Sequence, residues 1–151
     1  MAKILYTADA QVKGGRDAGH GRTVDGELEV DLRAPKELGG QGGGTNPEEL
    51  FAVGYAACFE SALQAVAHRK KLELSNVTID SKVNLIASGG GRYDIGVELD
   101  VRMPSVDDAA TAVDLVSAAH QVCPYSNATR GNIEIALSAN GQPVEEASET
   151  A

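Results

Sequence analysis

The sequence predicts an α+β domain with a mainly antiparallel sheet, judged by the order of its elements. Three observations predict it. Leu28, Val30 and Leu32 alternate with Glu27, Glu29 and Asp31, the period-2 pattern of a half-buried strand. Asn46-Pro47-Glu48-Glu49 opens a long apolar run with residues that start helices. Ser105-Val106-Asp107-Asp108 repeats a capping-box pattern ahead of a second helical stretch.

Taken in order, residues 4–8 read as a first strand, followed by the glycine-bearing loop Gly14-Gly15-Arg16-Asp17-Ala18-Gly19-His20. After the strand around Val30, Pro35 and the glycines at 39, 40, 42, 43 and 44 break regular structure. At the helix start, Asn46 is placed to cap, Pro47 suits the first helical position, and Glu49 can reach back to complete a capping box. Residues 50–66 are apolar on nearly every side, and Ala52, Gly54, Ala56 and Ala57 permit close packing. Such a helix belongs at the centre of a domain or an oligomer. Arg69-Lys70-Lys71 supplies cations at its C-terminus. Strands over 77–87 and 93–101 form a hairpin through Gly89-Gly90-Gly91. The second helix runs to about Gln121, and Pro124 ends it, because the residue before proline avoids helical geometry. Ile133, Ile135 and Leu137 alternate as a last strand. The expectation is one domain over 1–140 and an acidic, frayed tail over 141–151.

Composition narrows the function. The 151 residues carry a formal charge of -9, which excludes a phosphate backbone as partner, since that affinity comes from Lys and Arg. The N-terminus Met1-Ala2-Lys3-Ile4-Leu5-Tyr6 lacks the apolar core of a signal peptide, and no uninterrupted apolar segment approaches the roughly 20 residues that cross a bilayer. The expectation is a cytoplasmic protein, with no membrane and no nucleic acid among its partners. In a reducing compartment two cysteines are better used in a transient catalytic disulfide than a permanent one. Asn76 and Asn127 match glycosylation sites that carry no weight without a secretory signal.

Cys58 lies about three turns into the apolar helix, and Cys123 where the second helix stops. A thiolate in apolar surroundings is disfavoured by desolvation, so a working Cys58 needs a cation nearby. Arg16 is a candidate, carried on a glycine-flanked loop, and Glu48 is able to accept a bidentate hydrogen bond that fixes its guanidinium plane. Each also has a plainer reading: buried small hydrophobes for the cysteines, a surface turn for Arg16, and a helix-dipole acid for Glu48. The glycine run before Thr45 lacks the ending of a phosphate loop and reads as a flexible connector. His20, His68 and His120 show no metal-ligand spacing.

At these residues the chain resembles the Ohr/OsmC family, within it the organic hydroperoxide resistance branch. The matching stretches are Gly14-Gly15-Arg16-Asp17, Gly44-Thr45-Asn46-Pro47-Glu48, Leu50-Phe51-Ala52-Val53-Gly54-Tyr55-Ala56-Ala57-Cys58-Phe59 and Val122-Cys123-Pro124-Tyr125-Ser126-Asn127-Ala128-Thr129-Arg130-Gly131-Asn132-Ile133. Gly39 to Gly44 is one residue shorter than the family's usual loop, and Ala18 to Gly21 also departs from it. The resemblance implies an intertwined homodimer, with two long central helices wrapped by mainly antiparallel sheet. It implies a thiol-dependent peroxidase acting on alkyl and lipid hydroperoxides. Cys58 would be the peroxidatic residue, Cys123 the resolving one, and Arg16 with Glu48 the activating pair. A lipoylated protein or dihydrolipoamide would be the reductant, and no metal, haem or flavin is implied. The alternatives are an OsmC-type peroxidase of broader range, disfavoured by the run 123–131, and a non-catalytic redox sensor or ligand-binding dimer. Ten residues separate Glu48 from Cys58, a rise of about 15 Å on a straight helix. Either that helix is broken, or Arg16 and Glu48 reach Cys58 from the other subunit, the alternative favoured here.

Overall fold

The computed structural model describes residues 2–145 and divides into two compact units, residues 1–50 and 51–151.

The first unit is a three-stranded antiparallel sheet of β1 (Ala10–Lys13), β2 (Ala18–Thr23) and β3 (Glu29–Arg33), in that order. The strand expected over 4–8 is not there. Ile4, Leu5 and Tyr6 are 77–85% exposed, and β1 begins only at Ala10. The reason is register. Ala10 pairs with Thr23, where β2 turns away through Asp25 and Gly26, so nothing in this sheet extends far enough to pair with residues 4–8. The expected loop at 14–20 is instead a tight hairpin turn between β1 and β2. Gly14 sits at φ +82°, and a Cβ there would lie 2.4 Å from the Ala18 carbonyl oxygen, so only glycine fits. The connector after β3 is folded as well. It contains a 3₁₀ turn, Lys36–Leu38, and the Gly40 and Gly42 N–H groups return to the carbonyls of Pro35 and Ala34. Thr45 then pairs with β3, donating its N–H to Asp31 and accepting from Arg33, which fixes where the next helix starts.

That helix, α1, spans Pro47–Arg69 without interruption. Asn46 caps it, its Oδ1 accepting the Glu49 N–H at 2.8 Å. The reciprocal half of the capping box is replaced: the Glu49 carboxylate accepts from the Thr45 hydroxyl at 2.9 Å. Burial of α1 is one-sided, not all-round. Tyr55, Phe59, Ala62, Leu63, Val66 and Ala67 form a buried stripe at helical spacing, while Val53 is 72% exposed and Leu50 and Ala57 are also exposed. By length and composition alone α1 would suffice to cross a membrane, although Glu60 interrupts its apolar run; its buried stripe is that of a core helix.

The second unit holds a four-stranded sheet in the order β4 (Thr78–Gly89), β5 (Arg92–Arg102), β6 (Glu134–Ala139), β7 (Gln142–Val144). β4 and β5 form the expected hairpin; β5 and β6 pair in parallel, within a mainly antiparallel fold. One sheet face carries Val97, Leu99, Val101, Leu137 and Ala139 into a core shared with the α1 stripe and with Ala112, Leu115, Val116 and Ala119 of α2 (Ala109–Val122). This helix begins four residues after Ser105. Asp108 is its cap, accepting the Thr111 N–H at 3.0 Å. Pro124 ends α2 as expected but also starts a further helix, α3 (Pro124–Thr129), because proline suits a first helical position as well as it stops a helix. Residues 142–144, placed in the frayed tail by the sequence, form β7. Asn140 and Gly141 both have positive φ and make a two-residue hairpin turn, a strong local signal that the reading passed over. Residues 146–151 of the expected tail lie outside the described residues.

Candidate active site

Each unit brings two of the four candidate residues together. In the first, the hairpin turn carries Arg16 and the structured connector delivers Glu48 in the first turn of α1. The Arg16 guanidinium donates to both Glu48 carboxylate oxygens, at 2.8 and 3.1 Å, a bidentate contact that fixes its plane. The guanidinium holds the Glu48 carboxyl below its ordinary range, against a smaller opposing effect of burial. Among the other titratable groups of this unit, His20 on β2 is bridged by Asp31 and Glu29 of β3, each at 2.8 Å.

In the second unit, Cys58 on α1 is half-buried and Cys123, between α2 and α3, is fully buried. The two thiols are free and close enough for Cys123 to act on the ionisation of Cys58, although 65 residues separate them in sequence. Burial pushes the Cys58 thiol up, and the charge of Cys123 adds to this; the Tyr125 backbone N–H, donating to the Cys58 sulfur, pulls the other way. Within its own unit, then, Cys58 has a partner for disulfide formation and one amide donor for its thiolate.

The side chains beside the two sulfurs come from the motifs that carry them. Phe51, Tyr55 and Tyr125 form an aromatic cluster with ring centroids 5.6–5.7 Å apart. Gly54 gives Tyr125 its place, since a Cβ there would stand 3.3 Å from the Tyr125 hydroxyl. The Tyr55 and Ser126 hydroxyls, both on fully buried residues, hydrogen-bond at 2.8 Å. Arg130 donates to the His120 carbonyl at 2.8 Å and to Asn127, tying α3 to the last turn of α2. The sequence reading singled out none of Tyr55, Tyr125, Ser126 or Arg130 individually. The available signal was spacing: Tyr55 precedes Cys58, and Ser126 follows Cys123, by three residues each.

The chain was compared with known proteins. A family model described as OsmC-like protein matches residues 40–138. An organic hydroperoxide resistance protein of Xanthomonas axonopodis pv. citri is 53% identical over 137 residues, 89% of this chain and 94% of that protein. A crystal structure from Legionella pneumophila, described as an organic hydroperoxide resistance protein OsmC, is similar at a TM-score of 0.86 and 50% identity, covering 90% of this chain and 98% of that one. A putative organic hydroperoxide resistance protein from Vibrio cholerae, with captopril bound in one of its active sites, is similar at a TM-score of 0.89 and 42% identity, covering 94% and 96%.

Proposed function

The chain belongs to the OsmC/Ohr family, in its organic hydroperoxide resistance branch, and from that premise we propose that it is a cysteine peroxidase reducing alkyl and lipid hydroperoxides to alcohols. The observation that carries the reading is the neighbouring pair of free thiols, Cys58 and Cys123, at one core. The Cys58 thiolate attacks one peroxide oxygen, the O–O bond breaks, and the alkoxide leaves as alcohol after taking up a proton. Cys58 is left as a sulfenic acid. The Cys123 sulfur then displaces that hydroxyl, forming the S–S bond and releasing water. A dithiol, either a lipoylated protein or dihydrolipoamide, reopens the disulfide by exchange and becomes oxidised in turn. The aromatic cluster of Phe51, Tyr55 and Tyr125 offers apolar surface to an organic tail.

In this reading both units act as one peroxidase domain over 1–140, working in the cytoplasm as part of the response to oxidative stress. Arg16, oriented by Glu48, lowers the cost of the Cys58 thiolate. The protein is a homodimer. Among the described residues the first unit has one buried apolar side chain, Leu32, and α1 leaves Leu50 and Val53 uncovered, so both need apolar cover. Because α1 is uninterrupted, a helix break is removed as a route from Glu48 to Cys58. That supports the alternative favoured from the sequence, a site completed by the partner's Arg16 and Glu48.

The test is steady-state consumption of an alkyl hydroperoxide with dihydrolipoamide, compared with glutathione and thioredoxin. Sustained turnover, fastest with dihydrolipoamide, is expected. One stoichiometric oxidation followed by a halt with every reductant would mark a redox sensor instead. Refolding Cys58→Ser chains with Arg16→Ala chains tests the shared site: verified heterodimers should regain activity, and inactive heterodimers would return Arg16 to its own chain's Cys58.

A further inference from the structure

We propose that Tyr55 and Ser126 are a positioning pair for the resolving step, a buried hydroxyl–hydroxyl contact that holds Cys123 against Cys58. This inference rests on the peroxidase reading above. Its geometry rests on two equal spacings. On α1, Tyr55 and Cys58 are three residues apart, which stacks them on one helix face about 4.5 Å apart along the axis. Across from them, Cys123 caps α3 and Ser126 lies three residues further on. Tyr55 meets Ser126 at 2.8 Å and Cys58 meets Cys123, so two contacts one turn apart tie the same two segments, which pass each other in opposite directions.

The chemistry needs such a tie. Cys123 lies in extended backbone between two helices, with φ -63° and ψ 124°, and α3 is only six residues long. A helix that short has little stability of its own, so its position depends on its anchors. Arg130 anchors it to α2, and Thr129 contacts the Tyr55 hydroxyl at 3.4 Å in addition to Ser126. Of these anchors, Tyr55–Ser126 is a fully buried side-chain contact to the helix that bears Cys58. Losing the Tyr55 hydroxyl would strip the fully buried Ser126 hydroxyl of this contact, a cost that favours keeping the two together. Held in place, Cys123 meets the Cys58 sulfenic acid as soon as it forms. The S–O bond breaks, the S–S bond forms, and the Cys123 proton leaves with the hydroxyl as water. Left loose, the sulfenic acid has time to meet a second hydroperoxide, which oxidises it to sulfinic acid while being reduced to alcohol. The same anchor holds the Tyr125 N–H on the Cys58 sulfur.

The experiment uses the full chain carrying Tyr55→Phe, Ser126→Ala, or both, with folding checked by thermal unfolding. The probe is tert-butyl hydroperoxide, and quenched mass spectrometry follows the ratio of disulfide to sulfinic acid after each equivalent. Tyr55→Phe removes one oxygen and keeps the ring, so the core stays filled. Each single variant should slow disulfide formation by about tenfold, the effect of a lost contact worth one decade in rate, and raise the sulfinic fraction. The double variant should be no slower than the slower single one, because the two hydroxyls form one contact. A wild-type partition ratio in folded single variants overturns the proposal, as does a double variant whose slowing is the product of the two. A wild-type chain that leaves the hydroperoxide unconsumed instead overturns the peroxidase reading on which this one stands.

Discussion

The two units hold their candidate residues by different physics. Arg16–Glu48 is an ion pair between a hairpin turn and the start of α1, in a unit with one buried apolar side chain among the described residues, and its two side chains are 38% and 18% exposed. Cys123 belongs to a core of eighteen buried apolar residues among those described, and Cys58 packs against it; Tyr55, Phe59, Leu63, Leu115 and Cys123 are at or near zero exposure. An ion pair in partial contact with water orients a charge strongly but contributes little stability, since solvent screens it. A packed core does the reverse, fixing two sulfurs in place while raising the cost of ionising Cys58. A peroxidase of the proposed kind needs both a positioned cysteine pair and a stabilised thiolate, and the proposed reading assigns them to separate regions.

The sharpest way to break that comparison is at the sulfurs. Cys58→Ser should lower steady-state peroxidase activity by at least about a thousandfold, since a serine hydroxyl is a poor nucleophile at neutral pH. Cys123→Ser should consume one equivalent and then stall with Cys58 oxidised further. Equal first-turnover competence in the two variants would overturn the assigned roles.

Next in size is the contrast in packing. Leu115→Ala, in the buried face of α2, should cost about 2–5 kcal/mol in denaturant unfolding. Val24→Ala, at a position 66% exposed, should stay within about 0.5 kcal/mol. Comparable losses would mean the first unit carries hidden apolar cover at Val24.

Arg16→Ala then asks whether the two regions are joined in function. It should raise the Cys58 pKa and slow peroxide attack at pH 7 by about tenfold, with Arg16→Lys restoring only part, because a lysine cannot reproduce planar bidentate contact. Thiolate absorbance against pH in the Cys123→Ser background measures it, and an unchanged titration would detach Arg16 from the site.

Smaller still is the acid response of the ion pair. The Glu48 carboxyl is held below its ordinary value of 4.5, so its stabilisation is complete above that value and is lost as pH falls through the depressed one. With Arg16 more than a third exposed, the effect should be under about 1 kcal/mol. Glu48→Gln should flatten that part of the acid-unfolding curve; a curve unchanged in shape would show that the pair contributes no pH dependence. Smallest is Gly54→Ala. About 1 kcal/mol gained in helix propensity is set against a 3.3 Å approach to the Tyr125 hydroxyl, and unfolding should shift by no more than about 0.5 kcal/mol. A large loss would mean Tyr125 is rigidly held.

Much of this molecule follows from residues close together in the chain. Asn46-Pro47 starts α1, alternation marks β3 and β6, and three glycines join β4 to β5, because capping, pleat and turn chemistry act over a few residues. The missed pieces at 140–144 and 124–129 were also local: an Asn-Gly turn and a proline that opens a helix as well as closing one. Resemblance to a family added the roles of Cys58 and Cys123 and chose the functional reading of Arg16 with Glu48 over the plainer one, which no local pattern decides. Only the tertiary structure decided which face of α1 is buried, that residues 4–8 lack a strand partner, and that Tyr55 meets Ser126 across 71 residues of chain. The physical reason is range. Backbone preference is set by neighbours within a turn or two, whereas a contact across 32 or 71 residues exists only when packing and loop closure have already brought its elements together.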